Sequence, residues 1–247
     1  MRVLIGSRFL TFVFCLLILL SVSKPGLTSG CQLIPGERLE YQVYAKGLLI
    51  GEQTLSIIRE ISYQDQLILH IQMQLRSYPA YALFFSYRET ADLYLDPEHL
   101  TPVYLKKKIN EKGKTWEEEY LFGEEIVEKR VKVEGRETRL TSYQANNPLV
   151  EGLSLIYYLR ARPWEKEQFL LYYLTTSGLV PVEYQYKGQE KIKTRFDHML
   201  ADVIVDPVSQ VSIWFSKDEQ VYPLRISISK DFGILTSRLV KVSYAVK

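Results

Sequence analysis

The chain is poor in the residues that carry most protein chemistry. Its 247 residues include two cysteines, three histidines and three tryptophans. His70, His99 and His198 stand far apart, and neither a His-Glu-x-x-His nor a paired-cysteine spacing occurs, which excludes a local zinc motif and leaves solvent-facing or capping histidines as the expectation. Gly152-Leu153-Ser154-Leu155 lacks the second glycine of a nucleophile elbow, so Ser154 is expected on a helix face. Phosphate loops and dinucleotide fingerprints are also missing, and Gly47 with Gly51 reads as a hairpin pair. The acidic runs Glu117-Glu118-Glu119 and Glu124-Glu125 do not suggest paired acid and base work, because neighbours on a strand point to opposite faces; a solvated, lysine-paired role is expected.

A surplus of charge is lacking too. The chain has 31 Lys and Arg against 29 Asp and Glu. Arg2, Arg8 and Lys24 fall within residues 1–30, which hold no acid, so the remainder is close to neutral. That gives no support to steering toward nucleic acid, which needs a basic patch or stripe.

What is present begins with an export signal. Arg2 and Arg8 form a charged start, and Phe9 to Val22 is an apolar run of signal-peptide length, shorter than the about 20 residues of a membrane span. Small residues then precede Cys31 in Leu27-Thr28-Ser29-Gly30-Cys31, as a lipoprotein signal peptidase requires, although Leu27 lies one place early. Three outcomes stay open: lipidation of Cys31, a soluble periplasmic product, or an uncleaved anchor. Cys15 leaves with a cleaved signal, so Cys31 has no intramolecular partner for a disulfide. Residues 1–30 are therefore expected to be a signal peptide and residues 31–247 a single β-rich envelope domain.

Within that domain the apolar pattern has a period of two. Leu39, Tyr41, Val43 and Ala45 alternate with Arg38, Glu40, Gln42 and Tyr44, and Leu67, Leu69, Ile71, Met73 and Leu75 alternate with Ile68, His70, Gln72, Gln74 and Arg76. Such strands bury one face, as antiparallel sheets do. A turn at Lys112-Gly113 sets Lys106 opposite Glu119, Lys107 opposite Glu118 and Lys108 opposite Glu117. The same reading about Glu134-Gly135 pairs Lys132 with Glu137, and about Lys187-Gly188 it pairs Gln185 with Glu190. After Asn146-Asn147-Pro148, Leu149, Leu153, Ile156 and Leu159 or Arg160 recur at helical spacing until Pro163, predicting one short helix near 149–161 that plugs or covers an opening of the sheet.

Aromatics are the remaining signal, with 18 Tyr and 10 Phe. The stretch Tyr78-Pro79-Ala80-Tyr81-Ala82-Leu83-Phe84-Phe85-Ser86-Tyr87 reads either as core filling at a sheet corner or as rings at the mouth of a cavity. On the second reading Tyr78, Tyr81, Phe84, Phe85, Tyr87 and Trp214 are candidate ligand-binding residues.

Several phrases in order resemble the DUF3108 family of exported bacterial proteins. They are Gly36-Glu37-Arg38-Leu39-Glu40-Tyr41, Lys46-Gly47-Leu48-Leu49-Ile50-Gly51-Glu52, Leu153-Ser154-Leu155-Ile156-Tyr157-Tyr158-Leu159-Arg160, Tyr186-Lys187-Gly188-Gln189-Glu190-Lys191-Ile192, and Ile213-Trp214-Phe215-Ser216-Lys217-Asp218 with Pro223-Leu224-Arg225-Ile226 and Gly233. The resemblance covers roughly residues 36–240 and departs at Thr194-Arg195-Phe196-Asp197, where a Gly-x-Phe turn is common in the family. It implies an all-β, mainly antiparallel fold, a curved sheet or barrel-like meander of hairpins, in the cell envelope, and brings no activity or catalytic residues. The expectation is a non-enzymatic envelope protein, without a cofactor or nucleic-acid partner, that holds a lipid or other hydrophobic ligand or docks a partner protein. A membrane tether through Cys31, a purely structural lipoprotein and a carboxylate-dependent hydrolase of envelope polymers are the further expectations.

Overall fold

A computed structural model describes residues 31–63, 66–81, 86–136, 138–144, 146, 148–161, 168–175, 178–206, 211–230 and 233–245. The expected signal peptide and Phe84, Phe85, Glu137 and Pro163 lie outside the described residues. β1 (Glu37–Ala45), β2 (Leu48–Tyr63), β3 (Gln66–Ser77), β4 (Tyr87–Leu95), β5 (Pro102–Glu111), β6 (Lys114–Phe122), β7 (Ile126–Val133) and β8 (Arg139–Gln144) form an antiparallel meander. β9 (Leu149–Val150) leads into α1 (Gly152–Ala161). The chain then returns through β10 (Gln168–Thr175), β11 (Gly178–Lys193), β12 (His198–Asp206), β13 (Val211–Ser216), β14 (Pro223–Lys230) and β15 (Gly233–Tyr244).

Pairing of β1 with β15, from Glu37 opposite Tyr244 to Ala45 opposite Leu235, welds the two meanders into one 15-stranded sheet. All neighbours are antiparallel except the short β9–β10 contact. β8 and β9 are the two edges, so the sheet is bent but not closed. Near the gap the ring of Tyr143 on β8 comes within van der Waals reach of a Cβ built on Gly178 at the start of β11.

The period-two pattern decides which side faces in. Leu39, Tyr41 and Val43 are buried on β1, and Leu69, Ile71 and Met73 on β3, while Leu67 at the strand end is exposed. Ile68 points the other way yet is also buried, because Ile61, Tyr63, Tyr94, Val103 and Tyr104 cluster around it on the outer face. The expected register of the β5–β6 hairpin is observed pair by pair, and Lys112 and Gly113 both take the positive φ that a tight hairpin demands.

Three expected turns differ. Val131 pairs with Arg139 across the β7–β8 turn, which is thus centred on Gly135 and removes the Lys132–Glu137 pairing; Lys132 faces Glu117 on β6 instead. Lys187-Gly188 is no turn: β11 runs on through it, and Lys187 is the extra residue of a bulge where Tyr186 faces Ile204 and Gly188 faces Val203. A positive φ at Gly188 serves a bulge as well as it serves a hairpin, which is why the dipeptide misleads. Gly47 does turn β1 into β2, but Gly51 sits inside β2, where a Cβ would collide with the backbone carbonyl of Arg76.

The helix begins at Gly152, and Leu149-Val150 is strand. Leu153 through Arg160 are all buried, so α1 does not lid an opening but lies inside the bend of the sheet, its apolar side chains in one core cluster with those of the surrounding strands. A helix that is apolar on every side has only an interior place to go. Its start is fixed by Glu151, whose Oε1 accepts hydrogen bonds from the backbone N–H of Leu153 (2.8 Å) and Ser154 (2.7 Å), while Ser154 Oγ accepts from the Glu151 N–H (2.9 Å). Ser154 thus lies on the helix, as expected, and serves there as a cap partner.

Candidate functional site

Between one side of α1 and the concave face of the sheet lies a cavity of about 280 Å³. Its wall is aliphatic over most of its extent, including Met73, Leu153, Ile156, Ile213 and Ile228. The alternation that buries these side chains also turns some polar ones inward. Lys107 shares the inner face of β5 with Leu105 and Ile109, Glu89 shares that of β4 with Ala91 and Leu93, and Glu118 shares that of β6 with Trp116 and Tyr120.

Glu89 and Lys107 line the cavity beside the start of α1, and Glu118 is close enough to act on the charge of Lys107. Lys107 Nζ lies 3.5 Å from Glu151 Oε2. Glu118 accepts hydrogen bonds from Tyr120 OH (2.6 Å) and Trp116 Nε1 (3.2 Å) and faces Lys129 Nζ at 3.6 Å. Glu89 accepts from Tyr87 OH at 2.5 Å. Burial opposes the charge on Lys107, but Glu151, Glu89, Tyr173 and Glu118 outweigh it and hold its pKa above the ordinary lysine value. Burial, reinforced by Glu151, pushes the Tyr173 hydroxyl up to about 12. Glu151 Oε2 is buried and accepts no hydrogen bond, so Lys107 is its charge partner.

The C-terminal end of α1 meets a second polar cluster. Arg160 donates to both carboxylate oxygens of Glu37, at 2.6 and 2.9 Å, and to the backbone carbonyl of Gln220 at 3.1 Å. Both partners are essentially without solvent exposure, at 0% and 1% of the side chain. Cys31 covers the pair; its Sγ donates to the same carbonyl at 2.8 Å and lies 3.7 Å from Arg160 Nη2. Burial pushes the Cys31 thiol up, and the neighbouring Arg160 only partly offsets this.

Among the described residues, those singled out for their aromaticity, Tyr78, Tyr81, Tyr87 and Trp214, do not gather in one place. Tyr78 and Tyr87 line a groove of about 530 Å³ with Arg76, Arg88 and Lys108, and Tyr81 belongs to a short 3-10 turn, Pro79–Tyr81. Trp214 is on the outer face of the other meander, donating to Glu190 at 2.7 Å. The histidines are capping or surface groups: His70 meets Asp92 at 2.8 Å and stacks on Tyr94, and His99 meets Asp96 at 2.9 Å. Among the described residues no three His, Cys, Asp or Glu side chains gather to hold a metal ion. Sequence reasoning passed over Lys107, Glu118 and Glu151, because it treated the Lys–Glu run as solvated on both faces; the alternation alone places Lys107 and Glu118 beside Leu105 and Tyr120.

Residues 40–240 match the family described as a protein of unknown function, DUF3108. The chain belongs to that family. The matched DUF3108 region spans both meanders, α1 and the cavity. No curated protein matches the sequence. Among solved structures, a β-barrel-like protein of the domain of unknown function DUF1849 from Brucella abortus shares the fold, with a TM-score of 0.56 and 10% identity over 87% of this chain and 100% of that one. Weaker likenesses are the hypothetical protein CT021 from Chlamydia trachomatis (TM-score 0.35, 10% identity, 87% and 90% covered) and a candidate exported protein with a YmcC-like fold from Bacteroides fragilis (0.33, 8%, 87% and 99%).

Proposed function

We propose that this DUF3108 chain is a non-enzymatic protein of the bacterial cell envelope that holds an apolar or amphipathic molecule between α1 and the concave face of its sheet. The observation that carries this reading is the cavity of about 280 Å³, whose mostly aliphatic wall is broken by Glu89 and Lys107 and by the hydrogen-bonded pair Gln53 and Ser237. Its size is close to the lower limit of small-molecule pockets, about 300–1,000 Å³, and its make-up of apolar wall and few convergent polar groups is typical of them. Export rests on the Arg2/Arg8 start and the apolar run before Cys31. A thioether-linked chain on Cys31 and the buried contact of its free thiol with Arg160 exclude one another, so the lipidated form would lack that contact.

The charged residues also say which head group fits. Glu89 and Lys107 line the cavity, and with Glu118 and Glu151 against Lys129 close by, carboxylates outnumber ammonium groups there. A hydroxyl or ammonium can donate to the lining carboxylate Glu89, whereas a carboxylate brings a further negative charge into a partly desolvated site. What supports a non-enzymatic role is that Glu118 and Glu151 are already engaged, one by Trp116 and Tyr120 and the other by the helix cap.

Displacement of a fluorescent apolar probe by decanol, decylamine and decanoate tests this. Decanol and decylamine should displace the probe at about tenfold lower concentration than decanoate, a difference of about 1.4 kcal/mol. Ile228→Trp, which fills the cavity from β14, should weaken probe binding about tenfold or more with an unchanged melting temperature. Equal binding by wild type and the filled variant would remove the cavity as the site and leave the structural lipoprotein reading.

A further inference from the structure

On the outer face, far in function from the cavity, the β11–β12 turn and strands β1, β14 and β15 enclose a cleft of about 610 Å³. Four cations line it, Lys193, Arg195, Arg225 and Arg238, and no carboxylate does. None of the four has an ion-pair partner among the described residues. By contrast Arg38, Arg76, Lys106 and Lys241 on the outer face of the same sheet each meet a carboxylate.

The arrangement is costly for the free protein. Arg225 and Arg238 are directly opposite each other on adjacent strands, and like charges so placed destabilise a sheet. Each guanidinium is held by a ring: Arg225 lies 5.1 Å over Trp214 and Arg238 lies 4.5 Å over Tyr44. Stacking of this kind presents the planar fork in a fixed plane while leaving its N–H groups free to donate. Burial and the facing Arg238 both work against the charge on Arg225, and Glu190 relieves this only in part. The turn that forms one wall is itself rigid. Thr194 Oγ1 accepts from the backbone N–H groups of Phe196 and Asp197, each at 3.1 Å, which closes the reversal without the glycine usual in the family.

We propose that this cleft binds a phosphate-type oxyanion, with Arg225 and Arg238 as the pair that grips it and Lys193 and Arg195 as flanking cations. The anion supplies the negative charge that the opposed arginines lack, and guanidinium forks match the spacing of phosphate oxygens. A phospholipid head group and a soluble phosphate ester share this chemistry.

Two measurements on the full chain separate them. Calorimetry with glycerol phosphate reads the soluble source, and flotation with phosphatidylcholine vesicles, with and without phosphatidylglycerol, reads the lipid source. Arg225→Gln with Arg238→Gln should lower the affinity for whichever source binds by at least about tenfold, while Arg136→Gln, a surface cation on the β7–β8 turn, should not. Arg225→Gln alone should keep or raise the melting temperature, because it removes a like-charge contact. Binding of glycerol phosphate without vesicle retention names a soluble ester; retention that needs phosphatidylglycerol names a head group. Refusal of both, or equal losses in the cleft and Arg136 variants, overturns the proposal, and neither result bears on the interior cavity.

Discussion

Replacing Arg160 by alanine is expected to cost about 3–5 kcal/mol. The side chain is fully buried, and its removal leaves Glu37 as a desolvated carboxylate with no cation near it. Tyr41 and Tyr157 beside it have hydroxyls without hydrogen-bond partners, so nothing in the cluster can take over the guanidinium's role. A loss of that size is comparable to the whole stability of many domains, about 5–15 kcal/mol. Glu37→Leu combined with Arg160→Met should recover most of it, since replacing both members of a buried pair by apolar groups is often neutral. Urea unfolding followed by tryptophan fluorescence measures both variants. A cost below about 1 kcal/mol for Arg160→Ala would mean that the pair is solvated and the helix end is not buried as described.

Alkaline pH should unfold the protein steeply. Burial pushes the hydroxyls of Tyr41, Tyr157 and Tyr184 well above the ordinary tyrosine value and that of Tyr173 to about 12. These groups ionise near pH 10 when unfolded but stay protonated when folded. The folded chain then binds more protons than the unfolded one, so stability is complete below about pH 10 and declines as pH rises toward the folded values. Each such tyrosine removes about 1 kcal/mol between pH 10 and 11, where its unfolded form is only partly ionised at the start, so four together remove roughly 4 kcal/mol. Lys107 acts in the same direction, its raised value meaning that its favourable charge is also lost at high pH. Absorbance at 295 nm (roughly the phenolate band) should show a group of tyrosines that ionise only with the loss of far-ultraviolet β signal. Smooth titration of all tyrosines about pH 10, with the sheet intact, would contradict the buried positions.

Much of the fold is legible in the sequence where the signal is local. The alternation on β1 and most of β3 gives the buried face directly, and Lys112-Gly113 sets the β5–β6 register because a two-residue turn with both φ values positive allows only one pairing. The Lys187-Gly188 bulge is not legible, since the same positive-φ glycine suits a reversal or an inserted residue, and the choice between them is made by β12 pairing on both sides of it. The interior helix is legible in kind but not in place. Arg160 sits in an apolar run as an oddity, and its partner Glu37 is 123 positions away, brought near only when β15 closes onto β1. The charged group at the cavity is half legible: Lys107 and Glu118 follow from strand parity, whereas Glu151 comes from a helix cap that no strand pattern announces.

The central claim is that the bent sheet and its internal helix leave a space that an apolar molecule occupies. Native mass spectrometry of the protein purified from its own host tests this most directly. Wild type should give a species heavier than the processed polypeptide by the mass of one small amphipathic molecule, lost on gentle activation and missing from Ile228→Trp. A bare polypeptide mass for wild type, or the same adduct on the filled variant, would contradict it.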